Sequence, residues 1–206
     1  MAEDDDRLVF ISSDSSLLTF EAKNVRPQGR TAGGMAGIKL AEGARVAAFN
    51  VVPAGKVAWT YEEGENGLTS GSGAVVLTVA GDSDALPGTE NGAAKVTPLE
   101  NVPPPRGRAT GGVRSQRFLK GQNTLILAWV GLYPLHASTS AGSPVELPKP
   151  DMRRDGSGVD LALPHRLHCV TSIKLPLMGR AVKQTPSGVF VGEERTIVSQ
   201  TIEKRP

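Results

Sequence analysis

Short apolar runs separated by polar and glycine-rich turns cover most of the chain, and no long helical periodicity interrupts them. Residues 8–11 and 17–20 are apolar and flank a turn rich in serine and aspartate, which predicts a β-hairpin. Further strand-like runs at 37–40 and 45–52 would bring the number of strands to four. This pattern predicts a first antiparallel unit over 7–52, rather than strands that alternate with helices.

The same alternation resumes after a polar interruption. Residues 53–73 are rich in glycine, serine and glutamate, which predicts an inserted loop. Beyond it, the apolar runs predict a second unit over 74–130 and a shorter third unit over 135–163. Residues 164–206 do not repeat the pattern, so we leave this tail unassigned and expect it to be dispensable for the fold. The acidic residues 1–6 are predicted to be disordered.

A glycine–arginine motif recurs along these units. Residues 29–35 read Gly-Arg-Thr-Ala-Gly-Gly-Met, and residues 107–113, 78 positions later, read Gly-Arg-Ala-Thr-Gly-Gly-Val. A weaker third copy, Arg-Asp-Gly-Ser-Gly-Val, occupies 154–159, 46 positions after the matching residues of the second. Repetition at such spacings is typical of arrays whose units bury their apolar faces against one another. The expected fold is therefore all-β and propeller-like, with about three blade-like four-stranded units.

The motif combines two residue types that suit a phosphate backbone. Glycine permits close approach of another backbone and exposes N–H groups, while arginine adds a forked, permanently charged donor. The motif glycines are Gly29, Gly33, Gly34, Gly107, Gly111, Gly112, Gly156 and Gly158. The candidate DNA-binding residues are Arg26, Arg30, Lys39, Arg45, Lys95, Arg106, Arg108, Arg114, Arg117, Lys120, Arg153 and Arg154. The alternative is that the glycines serve only strand crossover and the arginines are solvated.

Charge and composition narrow the function further. The formal net charge is +2, but four of the 21 acidic residues lie within the first six positions, so the rest of the chain is more basic. Such a balance permits a polyanionic partner without requiring one. No run of 18 apolar residues is present, the polar start does not resemble a signal peptide, and the single cysteine cannot form an intrachain disulfide. We therefore expect a cytoplasmic protein.

Catalytic and metal-binding patterns are weak in this sequence. His165, His168 and Cys169 lie close together, but no fourth ligand follows at zinc spacing. Cys169 has no evident base beside it, and the glutamates of 62–65 fall in the predicted loop. No Gly-Lys-[Ser/Thr] phosphate-binding loop is present. The sequence predicts no catalytic residue, no metal site and no cofactor.

Three stretches resemble one protein family. Residues 24–43 resemble a blade of the C-terminal β-pinwheel of bacterial type IIA topoisomerase A subunits, the gyrase and topoisomerase IV subunits. Residues 89–99 resemble the next blade's Thr-Glu-Asn-Gly-x-x-Lys-x-Thr-Pro-Leu segment, and 106–113 follow in the family's order. The resemblance extends over about 7–163 and implies part of a pinwheel. It also implies binding and bending of double-stranded DNA, in partnership with the topoisomerase catalytic core and the ATPase (B) subunit, near the nucleoid.

The sequence departs from that family at functionally important points. The basic box Gln-[Lys/Arg]-Arg-Gly-Gly-[Lys/Arg]-Gly is missing, and its nearest counterpart, 28–34, lacks the basic density. Tyr61 and Tyr133 fall in a predicted loop and a turn, not in the context of the family's DNA-linking tyrosine. We therefore expect no DNA cleavage and no ATPase activity from this chain alone. Two alternatives stay open: a protein-interaction propeller with a hydrophobic rim, and a non-functional truncated remnant.

Overall fold

The protein is an all-β fold of several antiparallel sheets, as its sequence pattern predicts. The computed structural model describes residues 2–63, 69–86, 92–103, 107–139, 141–161 and 167–172. The strands are β1 (Arg7–Ser12), β2 (Ser16–Glu21), β3 (Val46–Val52), β4 (Thr60–Glu63), β5 (Thr69–Gly81), β6 (Gly92–Pro98), β7 (Val113–Arg114), β8 (Thr124–Tyr133), β9 (Leu135–Thr139), β10 (Pro144–Val145), β11 (Val159–Leu161) and β12 (Leu167–Ser172). Three single 3-10 turns occupy Ala22–Asn24, Ala54–Lys56 and Leu99–Asn101. In this part of the chain, no helix is long and apolar enough to cross a membrane.

The predicted hairpin at the start of the chain is confirmed as β1 and β2. Asp14 holds the turn between them, because its carboxylate accepts hydrogen bonds from the Ser12 hydroxyl and from the Ser16 backbone N–H and hydroxyl. Ser15 takes a left-handed conformation with φ of 69°. Unlike an ordinary surface turn, this one is largely buried, because later parts of the chain pack over it.

The first sheet takes its fourth strand from the second glycine–arginine motif. Its order is β3-β1-β2-β7, and Leu17 of β2 pairs with Val113 of β7. The prediction of a strand over 37–40 is wrong, because this segment forms only an isolated parallel bridge between Ile38 and Thr110. The position beside β2 is occupied by β7, so 37–40 lies against the second motif instead.

The second sheet is larger than predicted, because the supposed loop contains strands. Its order is β11-β6-β5-β4, and β8 also pairs with β5. β4 pairs with residues 69–72 of β5, so the prediction of an inserted loop over 53–73 is wrong at both strands. The glycine at position 71 has a packing reason, since an added Cβ would lie 1.9 Å from the Trp59 indole. β11, from the third motif, completes this sheet beside β6 as β7 completes the first.

The third sheet extends beyond the predicted end of the repeat. Its order is β10-β9-β12, and β12 comes from the segment that the sequence left as a dispensable tail. Leu167 and Val170 of β12 are only 6% and 5% exposed and pack against the second sheet. The boundary near Leu163 is therefore wrong, since strand addition, not sequence repetition, continues the unit. Residues 173–206 lie outside the described residues.

The three sheets share one irregularity, which establishes that the units are structurally equivalent. In each, the first hairpin strand slips register against its outer partner near its end: at Ser12 in β1, at Ala80 in β5, one residue before the last, and at Thr139 in β9. The residue before the slip pairs across the hairpin, as Ile11 with Leu17, Val79 with Ala94 and Ser138 with Pro144. Corresponding positions can thus be assigned among the units even where their sequences differ.

The second sheet lies between the other two and is buried on both faces. Along β5, Ala74, Val76 and Ala80 pack toward the first sheet, whereas Val75, Leu77 and Val79 pack toward the third. This alternation follows from the two-residue period of a strand. A strand buried on both faces reads as a nearly continuous apolar run, and 74–80 is apolar at every position except Thr78.

Candidate nucleic-acid interface

The last glycine of the second and third motifs brings two backbones together, whereas an added Cβ at Gly34 of the first motif would meet nothing within 4 Å. An added Cβ at Gly112 would lie 2.5 Å from the carbonyl oxygen of Leu17, and one at Gly158 would lie 2.8 Å from that of Ala94. Gly158 also has φ of +85°, a conformation that side chains disfavour. These glycines therefore allow β7 and β11 to join the preceding unit. Strand crossover, which the sequence left as the alternative explanation of the glycines, is their role here.

The three motifs lie one after another, joined by equivalent backbone hydrogen bonds. The N–H of Lys39 donates to the carbonyl of Thr110 over 3.0 Å, and the N–H of Arg117 donates to that of Gly156 over 3.1 Å. Lys39 and Arg117 correspond to each other in the repeat, as do Thr110 and Gly156. The first and second motifs are thus each followed by a basic residue whose backbone lies against the next motif.

The motif arginines also form equivalent contacts. Arg108 Nη1 donates to the carbonyl of Ala36 at 3.5 Å, and Arg154 Nη1 donates to that of Arg114 at 3.2 Å. Each arginine therefore contacts the backbone of the preceding copy and retains its other N–H groups. Arg30, in the first copy, makes no such bond to any residue that the structure describes and is exposed.

The predicted DNA-binding residues divide by burial. Eight are exposed: Arg26, Arg30, Lys39, Arg45, Arg114, Arg117, Lys120 and Arg153. Arg108 and Arg154 are half-buried, and Arg106 lies outside the described residues. The structure brings Lys39 to the second motif and Arg117 to the third. It joins Arg45 to the Ser13 turn instead, and Lys120 occupies a separate turn after the second motif.

Lys95 does not belong to the surface set. Its side chain is 1% exposed, and its ammonium is enclosed by protein oxygens. A buried ammonium cannot reach a phosphate, so we remove Lys95 from the candidate contacts. No sequence pattern indicated this burial, because lysine in an alternating strand is ordinarily expected to be solvent-exposed.

A carboxylate restrains Arg153, which directly precedes the third motif. Arg153 Nε and Nη2 donate to Asp151 Oδ1 and Oδ2 over 3.2 and 3.3 Å, and the Arg153 N–H donates to Oδ1 over 2.9 Å. Burial alone would raise the pKa of Asp151, but the hydrogen bonds from Arg153 outweigh it and lower that pKa. The Arg153 charge is therefore partly neutralised within the protein, which weakens it as a phosphate ligand.

Two segments match the DNA gyrase C-terminal domain, a β-propeller family, at residues 6–53 and 88–126. The first contains the first motif, and the second contains the second motif together with β6 and β7. Over these two segments, the chain is similar to the family of gyrase A C-terminal domains. The resemblance noted from residues 24–43 and 89–113 is thereby confirmed.

A solved structure supports the same fold. The crystal structure of the C-terminal domain of DNA topoisomerase IV aligns with a TM-score of 0.55 at 17% sequence identity. The alignment covers 82% of this chain and 46% of that one, so the chain spans about half the length of the domain it matches. A search of curated proteins found no match. The predicted partial β-pinwheel is confirmed as the fold of this gyrase-type domain.

Sequence reasoning missed a buried polar network that joins its units. Ser15 Oγ and Ser115 Oγ lie 2.9 Å apart, and the Gln116 N–H donates to Ser15 Oγ over 2.8 Å. Gln116 Nε2 donates to the carbonyls of Ala93 and Ser157, each at 2.8 Å. One glutamine thus connects the first hairpin, the second sheet and the third motif. Its only sequence signal was its position three residues after the end of the second motif.

Proposed function

We propose that this chain is a DNA-binding and DNA-bending module of a type IIA topoisomerase A subunit, and that it is not catalytic alone. The observation that supports this most strongly is the repeated backbone link between motifs. It places Lys39 beside the second motif and Arg117 beside the third. We call this row of exposed basic residues along the motifs the basic line. A line of arginine and lysine that touches phosphates would hold duplex through its backbone rather than through base edges.

The family match supports the same role. The domain would present duplex DNA to a topoisomerase catalytic core that works with an ATPase subunit, in the cytoplasm. The missing basic box gives no support for chiral wrapping.

A protein-interaction role has less support. It predicts hydrophobic or aromatic side chains along the motif line. The exposed aromatic rings Phe49 and Tyr61 lie instead on β3 and β4, outside the three motifs. Tyr61 was expected in a loop, but it belongs to a strand and its ring packs against Trp59. Among the described motif residues, Val159 is the exposed large apolar side chain, and it is aliphatic rather than aromatic.

A salt titration with paired variants tests the proposal. The double substitution Lys39→Gln and Arg117→Gln removes the two equivalent exposed charges, and Lys56→Gln removes an exposed charge far from the motifs. We expect wild-type affinity for linear duplex to fall steeply with salt. In the double variant, the slope of log affinity against log salt should decrease by about 0.9 per lost phosphate contact, about 1.8 in all.

The control and the contradicting result are both defined in that experiment. Lys56→Gln should keep the wild-type slope and affinity. Duplex binding that ignores salt in the wild type, or an equal loss in both variants, would contradict the proposed line. Ring closure of short duplexes in the same series measures bending, which should weaken with the double variant but not with Lys56→Gln.

A further inference from the structure

Lys95 occupies a position that the other units fill with apolar residues. The repeated register places it in correspondence with Leu18 of β2 and Val145 of β10. Leu18 is 3% exposed and lies in a hydrophobic cluster, so the unit itself does not require a charge here. Burying an ammonium is costly unless it is paired and hydrogen-bonded. The reason for Lys95 must therefore lie in what its ammonium contacts.

The ammonium joins three separate segments. Lys95 Nζ donates to the Thr97 hydroxyl on its own strand, to the carbonyl of Arg154 over 2.8 Å and to the carbonyl of Ser115 over 3.3 Å. Ser115 follows the second motif, and Arg154 is the arginine of the third. Gly156 packs over the side chain, since a Cβ there would lie 3.2 Å from Lys95 Cε. One side chain thus ties the second motif to the third.

The charges around Lys95 are mixed. Asp151 and Asp155 favour its protonated form, whereas Arg153 and Arg154 oppose it. Burial is the largest effect and lowers the pKa of Lys95 from the ordinary 10.5 to about 8. A protonated ammonium donates charge-assisted hydrogen bonds to all three partners, whereas a neutral amine has two hydrogens for the two carbonyls and a lone pair that accepts from the Thr97 hydroxyl. Loss of the proton near pH 8 therefore weakens the bonds to the carbonyls of Ser115 and Arg154.

We propose that Lys95 is a positioning residue, whose protonated ammonium fixes the third glycine–arginine motif against the second and so sets the spacing of the basic line. This inference rests on the proposed DNA-binding function for its consequence, but not for its structural part. The Arg154 guanidinium, which donates to the carbonyl of Arg114, depends on the same arrangement. We call the hydrogen bonds of Lys95 to the two motif segments the clamp. When the clamp is lost, the basic side chains keep their charges, but their spacing along the duplex is no longer fixed.

Stability and affinity should respond to pH in opposite directions. The folded-state pKa of Lys95 lies below its unfolded value, so the unfolded chain binds more protons between about pH 8 and 10.5. The contribution of Lys95 to the free energy of unfolding therefore increases as the pH rises through that window. The hold on the third motif weakens over the same window. A residue that only stabilised the fold would not make the free energy of unfolding and the duplex affinity change in opposite directions with pH.

Amide hydrogen exchange of the full chain measures the clamp without DNA. The Arg117 N–H donates to the carbonyl of Gly156 in the third motif. The equivalent Lys39 N–H donates to the carbonyl of Thr110, in the unit where Leu18 takes the position of Lys95. In the wild type, we expect the Arg117-to-Lys39 ratio of exchange rates to rise about tenfold between pH 7 and pH 9. In Lys95→Met, which removes the donor without leaving a buried charge, the ratio should be high at pH 7 and independent of pH.

Duplex affinity provides the second measurement, with Lys56→Met as the control. Lys95→Met should weaken binding about fivefold at pH 7 and abolish the additional loss that the wild type shows at pH 9. An exchange ratio that does not change with pH in the wild type would overturn the clamp, even if Lys95→Met does not fold. If the wild type binds no duplex, the proposed function fails, and the exchange ratio still decides the clamp. Wild-type affinity and pH profile in a folded Lys95→Met would overturn the positioning role.

Discussion

Replacement of Gly112 by alanine is expected to destabilise the protein more than any other single methyl addition in the motifs. The new Cβ would lie 2.5 Å from the Leu17 carbonyl oxygen and 2.6 Å from the Leu17 carbonyl carbon and nitrogen. Because these are backbone atoms, no rotamer change relieves the overlap, and β7 must move away from β2. We expect a loss of about 3 kcal/mol in the free energy of unfolding and a melting temperature lower by roughly 10 °C.

Gly111 provides the matched control for this prediction. It precedes Gly112 in the same motif, but an added Cβ meets no atom within 4 Å, and its φ is not in the positive range that disfavours side chains. Gly111→Ala should therefore keep the wild-type melting temperature or raise it slightly, since alanine restricts the unfolded chain. Thermal unfolding followed by circular dichroism compares the two variants. Equal melting temperatures would show that the close approach of β7 to β2 is not required.

The second large effect concerns β12, which the sequence pattern assigned to a dispensable tail. Val170 pairs with Ala137 and is buried between the second and third sheets, whereas the adjacent Thr171 is exposed. Val170→Asp would place a carboxylate among apolar side chains, and we expect a loss of about 4 kcal/mol in the free energy of unfolding. Thr171→Asp, on the opposite face of the same strand, should cost less than about 0.5 kcal/mol.

Chemical denaturation of the two variants measures this difference. Truncation after Pro164 gives an independent check, since it removes the whole strand. The truncated chain should lose the third sheet and expose the face of the second sheet that Val75, Leu77 and Val79 form. If the truncated chain and Val170→Asp both unfold like the wild type, β12 does not contribute to the core.

Under the proposed function, the arginines of the second and third motifs would both stabilise the array and contact phosphate. Arg108 and Arg154 stabilise the array, because each donates to a carbonyl of the preceding copy. Their remaining N–H groups leave them able to contact phosphate. The exposed Lys39 and Arg117, by contrast, are attached to the array through their backbones only. Substitution of Lys39 and Arg117 therefore tests DNA binding with less risk to the fold than substitution of the motif arginines.

The sequence by itself determined the strand-forming segments and their repetition. The hairpin of β1 and β2 follows from two apolar runs around a turn, and burial of β5 on both faces agrees with a run at 74–80 that is apolar except for Thr78. The motifs at 29–35 and 107–113 established the repeat and the family resemblance. These features are local, because strand period, turn chemistry and motif spacing are properties of neighbouring residues.

Only the tertiary structure decided which strands complete which sheets and which lysine is buried. β7 and β11 join the preceding unit because Gly112 and Gly158 admit another backbone, and no local pattern specifies that partner. Lys95 is buried because carbonyls of Ser115 and Arg154, far along the chain, supply its hydrogen-bond acceptors. Pairing partners and buried acceptors arise from contacts between residues that are far apart in the sequence, so the pattern of neighbouring residues does not reveal them.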